Sequence, residues 1–319
     1  MGSKLLLRFK GYILIFRLKL KGALAPFFLL RVMHKFFFSF LFLSSAWSIS
    51  AELLQYEFDD WSGSSLTTYV AKPNKINAST RLVVVMHGRK RNAEEYRDQW
   101  VQASKDLNLL VIVPEFSHED FAEVWGFNYG NIKNKLLEPV SMDLHAFSAI
   151  EPLAMNALNK FKLKSDRWGI YGHGAGAHFV HRYVLHHPAD SHSLAIAANL
   201  GWYMSLTDQA WPFGLTNSEI TKTHLQKSFS KYFLLMLGRS DVSSKPHTPY
   251  VEENWDEISA QGNNRLERGR NFFKSAVEKS KEVDQFFKWG MVEVPTKKGH
   301  GNTEQMVPYA AEMFFARLK

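Results

Sequence analysis

The stretch "WGIYGHGAGAHFVHRYVL", residues 168–185, does most to limit what this chain can become. Its first residues read as a buried strand, the glycines at 172, 174 and 176 as an abrupt turn, and the residues up to Pro188 as a helix. Where a strand turns so sharply into a helix, the two backbones pass too closely for a β-carbon on either side of the tip, so glycine flanks it. The helix then aims its free N–H groups and the positive end of its dipole at the tip. Such a turn ordinarily raises one nucleophilic side chain, yet the tip here, Gly174, has none. A dinucleotide-binding G-x-G-x-x-G turn is the rival reading. Its third glycine would fall at Ala177, and no early first strand carries it, so the elbow fits better.

The remaining pattern supplies a frame for such an elbow. "LLQYEF" and "LTTYVAKP" flank a polar turn and predict an opening antiparallel hairpin. "RLVVVMHG", "LNLLVIVPEF", "SLAIAANLGW", "KYFLLMLG" and "WGMVEVP" read as further strands, the first two as continuous apolar runs buried on both faces. Helices are predicted in "NAEEYRDQWVQASKDL", with Asn92 and Glu95 spaced as a capping box, in "DLHAFSAIEPLAMNALNKF", and in "TEQMVPYAAEMFFARL". Alternation of this kind predicts one α/β domain over 52–319, a mostly parallel twisted sheet with helices on both faces. Two long connections, near 202–230 and 242–288, read as cap-like insertions.

Charge separates this domain from what precedes it. Eight of the chain's 39 Lys and Arg residues fall in 1–35, where there is no acid; the remaining 31 face 31 Asp and Glu. A formally neutral domain lacks the basic footprint that phosphate backbones require, so no nucleic-acid partner is expected. The absence of cysteine excludes disulfides, thiolate metal sites and a cysteine nucleophile. Residues 33–51 combine a short basic start, an apolar run from Phe36 to Leu43 and small residues at Ser48, Ser50 and Ala51. That is the plan of a signal peptide cleaved between Ser48 and Glu52; the alternative, a membrane anchor, wants a longer apolar run. Residues 1–32 read as a basic, apolar extension or as an upstream start. The expected location is periplasmic or secreted, with membrane contact only through this leader.

Several strand ends carry chemistry. His87 and Gly88 close the "RLVVVMHG" strand, where the next amide, Arg89, can serve with Ala175 as an oxyanion-hole donor. Asp241 follows "KYFLLMLG" and His300 follows "WGMVEVP", so elbow, acid and base occur in the order of an α/β-hydrolase triad. Singly, Asp241 is an ordinary turn former and His300 one of thirteen histidines; the ordered set is what counts. Trp202, Tyr203, Trp211 and Phe213 offer an aromatic wall over the site, with His87 as a further substrate contact, although each of the four also suits plain packing. His178, His181, His186, His187 and His192 have no carboxylate at ligand spacing, so no metal is expected, and His186 and His187 read as a solvated helix end. The charges of 261–270 read most simply as a solvated surface. No cofactor is implied.

From about Arg81 onward the chain resembles secreted α/β-hydrolases related to polyhydroxybutyrate depolymerases and feruloyl-type esterases. The resemblance rests on "MHGRKRNAEEYRDQW", "YGHGAGAHFVHRYVLHHP", "AANLGWY", "WPFG", "QGNNRLERGRNFF" and "VPTKKGHG". In the bacterial branch it is most similar to, the elbow reads G-H-S-A-G, with serine where this chain has Gly174. The resemblance implies the α/β-hydrolase fold, Asp241 as acid, His300 as base, Arg89 and Ala175 as oxyanion donors, and a small-molecule or polymeric carboxylic ester as substrate. It also hints at a structural role for the charges of 261–270. With glycine at the nucleophile position, the expectation is absent or residual activity. The alternative is a non-catalytic ligand-binding descendant of the fold.

Overall fold

The computed structural model describes residues 4–9, 12–17 and 54–318. Strands β1 (Lys4–Phe9) and β2 (Tyr12–Arg17) pair as an antiparallel ribbon within the basic extension. The signal-peptide segment 33–51 lies outside the described residues. Among the described residues no helix is long and apolar enough to cross a membrane.

From β3 onward the chain builds one eight-stranded sheet. Its strands are β3 (Leu54–Phe58), β4 (Leu66–Ala71), β5 (Arg81–Met86), β6 (Leu109–Pro114), β7 (Trp168–His173), β8 (Leu194–Ala198), β9 (Phe233–Gly238) and β10 (Gly290–Val294), in spatial order β10-β9-β8-β7-β5-β6-β4-β3. The expected hairpin forms the antiparallel edge: β3 pairs with β4, and β4 with β6. All other neighbours run parallel. The strand prediction for "RLVVVMHG" has a simple physical outcome in β5. Val83 and Val85 enter the core on one face while Leu82, Val84 and Met86 enter the core on the other. Each such buried side chain contributes about 1.5–3 kcal/mol, and no polar residue interrupts the strand between Arg81 and His87.

One face is covered by helices α1 (Ala93–Leu107) and α9 (Thr303–Arg317), with Trp100, Tyr171 and Phe314 at the centre of their core. The other carries α3 (Ile150–Lys160) and α4 (Ala175–His186), the latter with an almost entirely buried surface. A one-turn helix, α2 (Glu123–Gly126), interrupts the irregular stretch before α3. The structure is thus an α/β-hydrolase fold, as expected.

Local differences have identifiable causes. α1 begins after Asn92 as predicted, but the capping box does not form: Arg91 sits at φ 58°, Asn92 is turned away from extended geometry, and its amide donates to the Glu95 carboxylate instead of capping. Pro308 lies inside α9. The connection 202–230 ends in α5 (Lys222–Phe229). The connection 242–288 divides: α6 (Pro249–Glu253) and α7 (Trp255–Ser259) are short, whereas α8 (Arg265–Glu282) is a long amphipathic helix packed against β9.

Candidate active site

At the end of β7, Gly174 takes φ 58° and ψ −114°, and α4 starts at the next residue. A β-carbon on Gly172 would fall on the carbonyl of Gly176, and one on Gly176 would meet the carbonyls of Met86 and His87 on β5. These two glycines are therefore demanded by backbone contact, as the sequence pattern implied. Gly172→Ala and Gly176→Ala should each cost at least about 3 kcal/mol, the upper end for overpacking. Urea unfolding measures this, and two variants as stable as the parent would remove the close-contact argument.

Gly174 is different. A β-carbon there would meet only His300, with Nε2 at 3.4 Å and Cε1 at 3.9 Å, which is ordinary van der Waals contact. The tip is open, and it faces an imidazole. His300 Nδ1 donates to Asp241 Oδ2 over 2.8 Å. A carboxylate only accepts, so Nδ1 carries the proton and Nε2 presents a lone pair toward the elbow tip. Asp241 is buried after β9, and His300 is half-buried in the loop between β10 and α9. Burial alone would raise the Asp241 pKa; the hydrogen bond and charge of His300, with help from Arg265, outweigh it and leave the carboxyl lowered.

The loop carrying His300 is fixed by a buried polar latch. Asn302 Oδ1 lies 3.0 Å from His173 Nε2 and accepts from Asn199 Nδ2 at 2.6 Å, while Asn199 Oδ1 accepts from Gly238 N at 2.6 Å. The ends of β7, β8 and β9 thus hold the loop of His300 in place. Burial, then the nearby His300, lower the His173 pKa to about 4, so it stays neutral in this latch.

Gly174, Ala175, Arg89 and His300 line one cavity of about 1020 Å³ with Trp202 and Tyr250. Ala175 opens α4, so its N–H has no acceptor within the helix and is free for a ligand oxygen. Of the four proposed wall aromatics, only Trp202 reaches the cavity. Tyr203 stacks on Phe272 at 4.5 Å, Trp211 packs on Trp125 and Tyr129, and Phe213 is buried in the same core. They are correctly apolar but lie one layer too deep. His87 also needs correction as a substrate contact: it is fully buried, stacks on Phe127 at 4.4 Å, and its Nε2 accepts from Phe116 N at 2.9 Å.

The structure adds residues that spacing alone did not single out. Trp125 and Tyr250 come to the cavity from connections with no periodic pattern. Arg265 and Arg268, read as part of a solvated surface, are 4% and 3% exposed. Arg268 donates to Gly201 O at 2.8 Å and holds the strand end before Trp202, and Arg265 stands against Asp241. His186 and His187 are half-buried against Phe147 rather than solvated. Among the described residues no group of three His, Asp or Glu is placed to hold a metal ion.

No protein-family model matches the chain, and no curated protein matches it by sequence. Solved structures do. A poly(aspartic acid) hydrolase from Sphingomonas sp. KT-1 is 31% identical, with a TM-score of 0.75, over 82% of this chain and 97% of that one. A poly(3-hydroxybutyrate) depolymerase, LpqC, from Bordetella parapertussis is 25% identical, with a TM-score of 0.73, over 84% of this chain and 92% of that one. An S-formylglutathione hydrolase from Agrobacterium tumefaciens, 15% identical at a TM-score of 0.51 over 86% of this chain and 99% of that one, shares the fold. Identity of 31% over 82% of this chain and 97% of the poly(aspartic acid) hydrolase, with the fold shared, places the chain among the esterase-like α/β-hydrolases, in the family of these polymer hydrolases.

Proposed function

We propose that this chain carries the acyl-transfer site of a carboxylic-ester hydrolase with the attacking side chain removed. The observation that carries the reading is the open β-carbon position of Gly174, 3.4 Å from His300 Nε2, with His300 held by Asp241 at 2.8 Å. In a serine enzyme of this design the base takes the hydroxyl proton, the oxygen adds to the carbonyl, and backbone amides receive the oxyanion. Here His300 is the base, Asp241 keeps its imidazole in the right tautomer, and the Arg89 and Ala175 amides are the donors. Without the serine no acyl-enzyme forms. What remains is binding of the ester, polarisation of its carbonyl, and slow attack by water, on the order of a thousandfold over the uncatalysed rate.

The ester-binding reading draws on the names of the similar proteins, a poly(aspartic acid) hydrolase and a poly(3-hydroxybutyrate) depolymerase. Both names point to carboxylic-acid derivatives in a polymer, and a small-molecule or polymeric ester is the substrate class proposed for this chain. A purely ligand-binding role is favoured by Gly174 itself. Against it stands the Asp241–His300 geometry, which a binding protein has no need to keep.

A fluorophosphonate probe tests the reading directly, because it bonds to an activated serine at such an elbow. The parent should remain unlabelled, Gly174→Ser should be labelled at residue 174, and adding His300→Ala should abolish the label. A Gly174→Ser protein that folds and stays unlabelled would overturn the assignment.

Export is proposed on the plan of residues 33–51. The mature protein should begin near Ala51 or Glu52, as intact-mass measurement of envelope-fraction protein can establish. A mature species that retains Phe36 to Leu43 would sink the proposal.

A further inference from the structure

We propose that Arg265 is a positioning residue of this site, tying the buried Asp241 carboxylate to the cavity rim at His247 and so holding the Asp241–His300 pair in register with the elbow. The inference rests on the reading of Asp241 and His300 as acid and base.

Asp241 is 1% exposed and has two oxygens to satisfy. His300 takes Oδ2 at 2.8 Å; Oδ1 faces Arg265 Nη1 at 3.3 Å. The Arg265 side chain is itself almost fully buried, and its other terminal nitrogen, Nη2, donates to His247 Nδ1 at 2.8 Å. His247 lines the same cavity as Gly174 and His300, at the start of the segment that supplies Tyr250. One guanidinium therefore touches both the acid and the rim.

The backbone repeats the connection. Arg265 is the first residue of α8, whose cap, Asn264, accepts from Glu267 N at 3.0 Å. The next residue, Leu266, donates its N–H to the carbonyl of Asp241 at 3.2 Å. Both the main chain and the side chain of Asp241 are thereby held by the first turn of an 18-residue helix that packs on the sheet. A carboxylate bonded at one oxygen can rotate about Cβ–Cγ. Two donors at opposite oxygens fix its plane, and with it the direction in which His300 Nε2 points. Planar, permanently charged guanidinium suits that geometry better than ammonium does. Nothing in this role requires Arg265 to touch substrate.

The test needs no turnover. In the parent chain near neutral pH, the proton on His300 Nδ1 should appear as a far-downfield imidazole resonance, identified by its loss in His300→Asn. Arg265→Met should lose it or speed its solvent exchange at least tenfold while thermal unfolding stays cooperative. Arg265→Lys, which keeps the charge, should restore part of it. Should Arg265→Met fail to fold, Arg265→Gln, polar but too short to reach Asp241 Oδ1 or His247 from the place of the Arg265 terminal nitrogens, carries the same comparison. In the Gly174→Ser background the Met or Gln change should lower kcat by about a hundredfold with KM little altered, the scale of a misplaced catalytic group. A resonance unchanged in Arg265→Met and Arg265→Gln, or an effect confined to KM, overturns the proposal alone. A resonance missing from the parent itself overturns the acid–base reading as well.

Discussion

Gly174→Ser is expected to raise hydrolysis of short-chain acyl esters by about four to six orders of magnitude over the parent, the scale on which loss of the nucleophile or base silences a serine hydrolase. On the proposed reading only the attacking oxygen is missing from the constellation. A β-carbon at Gly174 already lies 3.4 Å from His300 Nε2, so a hydroxyl placed one bond further can reach hydrogen-bonding distance without movement of the loop. No neighbouring backbone stands in the way, in contrast to Gly172 and Gly176. The cost is conformational: φ 58° with ψ −114° is a region that serine enters under strain, and the variant should be less stable by about 1–3 kcal/mol. Steady-state kinetics on an ester series, with His300→Ala as the second change, measure the gain. A well-folded serine variant within tenfold of the parent on every ester would shift the weight to a ligand-binding role.

Acid should unfold the protein well above the pH at which carboxylates titrate. His87, His173, His178, His181 and His192 are all at most 4% exposed. Burial, which disfavours the imidazolium, is the largest cause of the lowering in each. It brings His87 and His192 to about 3 and His173 to about 4, and holds His178 and His181 well below their ordinary value. An unfolded chain binds a proton at each below about pH 6.5, and the folded chain does not. Stability present above that pH is therefore lost as the pH falls toward 4. One pH unit below 6.5, each residue removes about 1.4 kcal/mol, and the five together about 7 kcal/mol. That is comparable with the whole stability of a typical domain. Asp190 acts in the opposite sense, its carboxyl pushed up to about 6 by burial, but it is one group against five.

Cooperative loss of near-ultraviolet circular dichroism is thus expected between about pH 6 and 5. His192, with both ring nitrogens unpartnered between Trp168 and Tyr183, is the informative replacement. His192→Phe should lower the midpoint and reduce the proton uptake on unfolding by one. A parent that stays folded to about pH 4 would show that the folded state takes up protons at these rings as readily as the unfolded chain does.

The fold was legible because its signals are local. Continuous apolar runs, glycines spaced around a tip and residues at strand ends reflect constraints that act within a few residues of each other. They located the strands that carry the site and brought Gly174, Arg89, Ala175, Asp241 and His300 into one list. The aromatic wall was not legible in the same way. Trp202, Tyr203, Trp211 and Phe213 are alike in sequence, but loop path alone puts Trp202 on the cavity and the other three behind it.

Sequence by itself determined the α/β framework and the elbow with glycine at its tip, since these follow from residue size, backbone freedom and periodicity. Tertiary structure alone decided which charges are buried. Arg265 and Arg268 look like surface residues in a run of polar neighbours, and become interior ones because α8 turns that face toward Asp241 and Gly201. A charge tolerates burial only beside its partners, and those partners come from strand ends and loops remote in the chain.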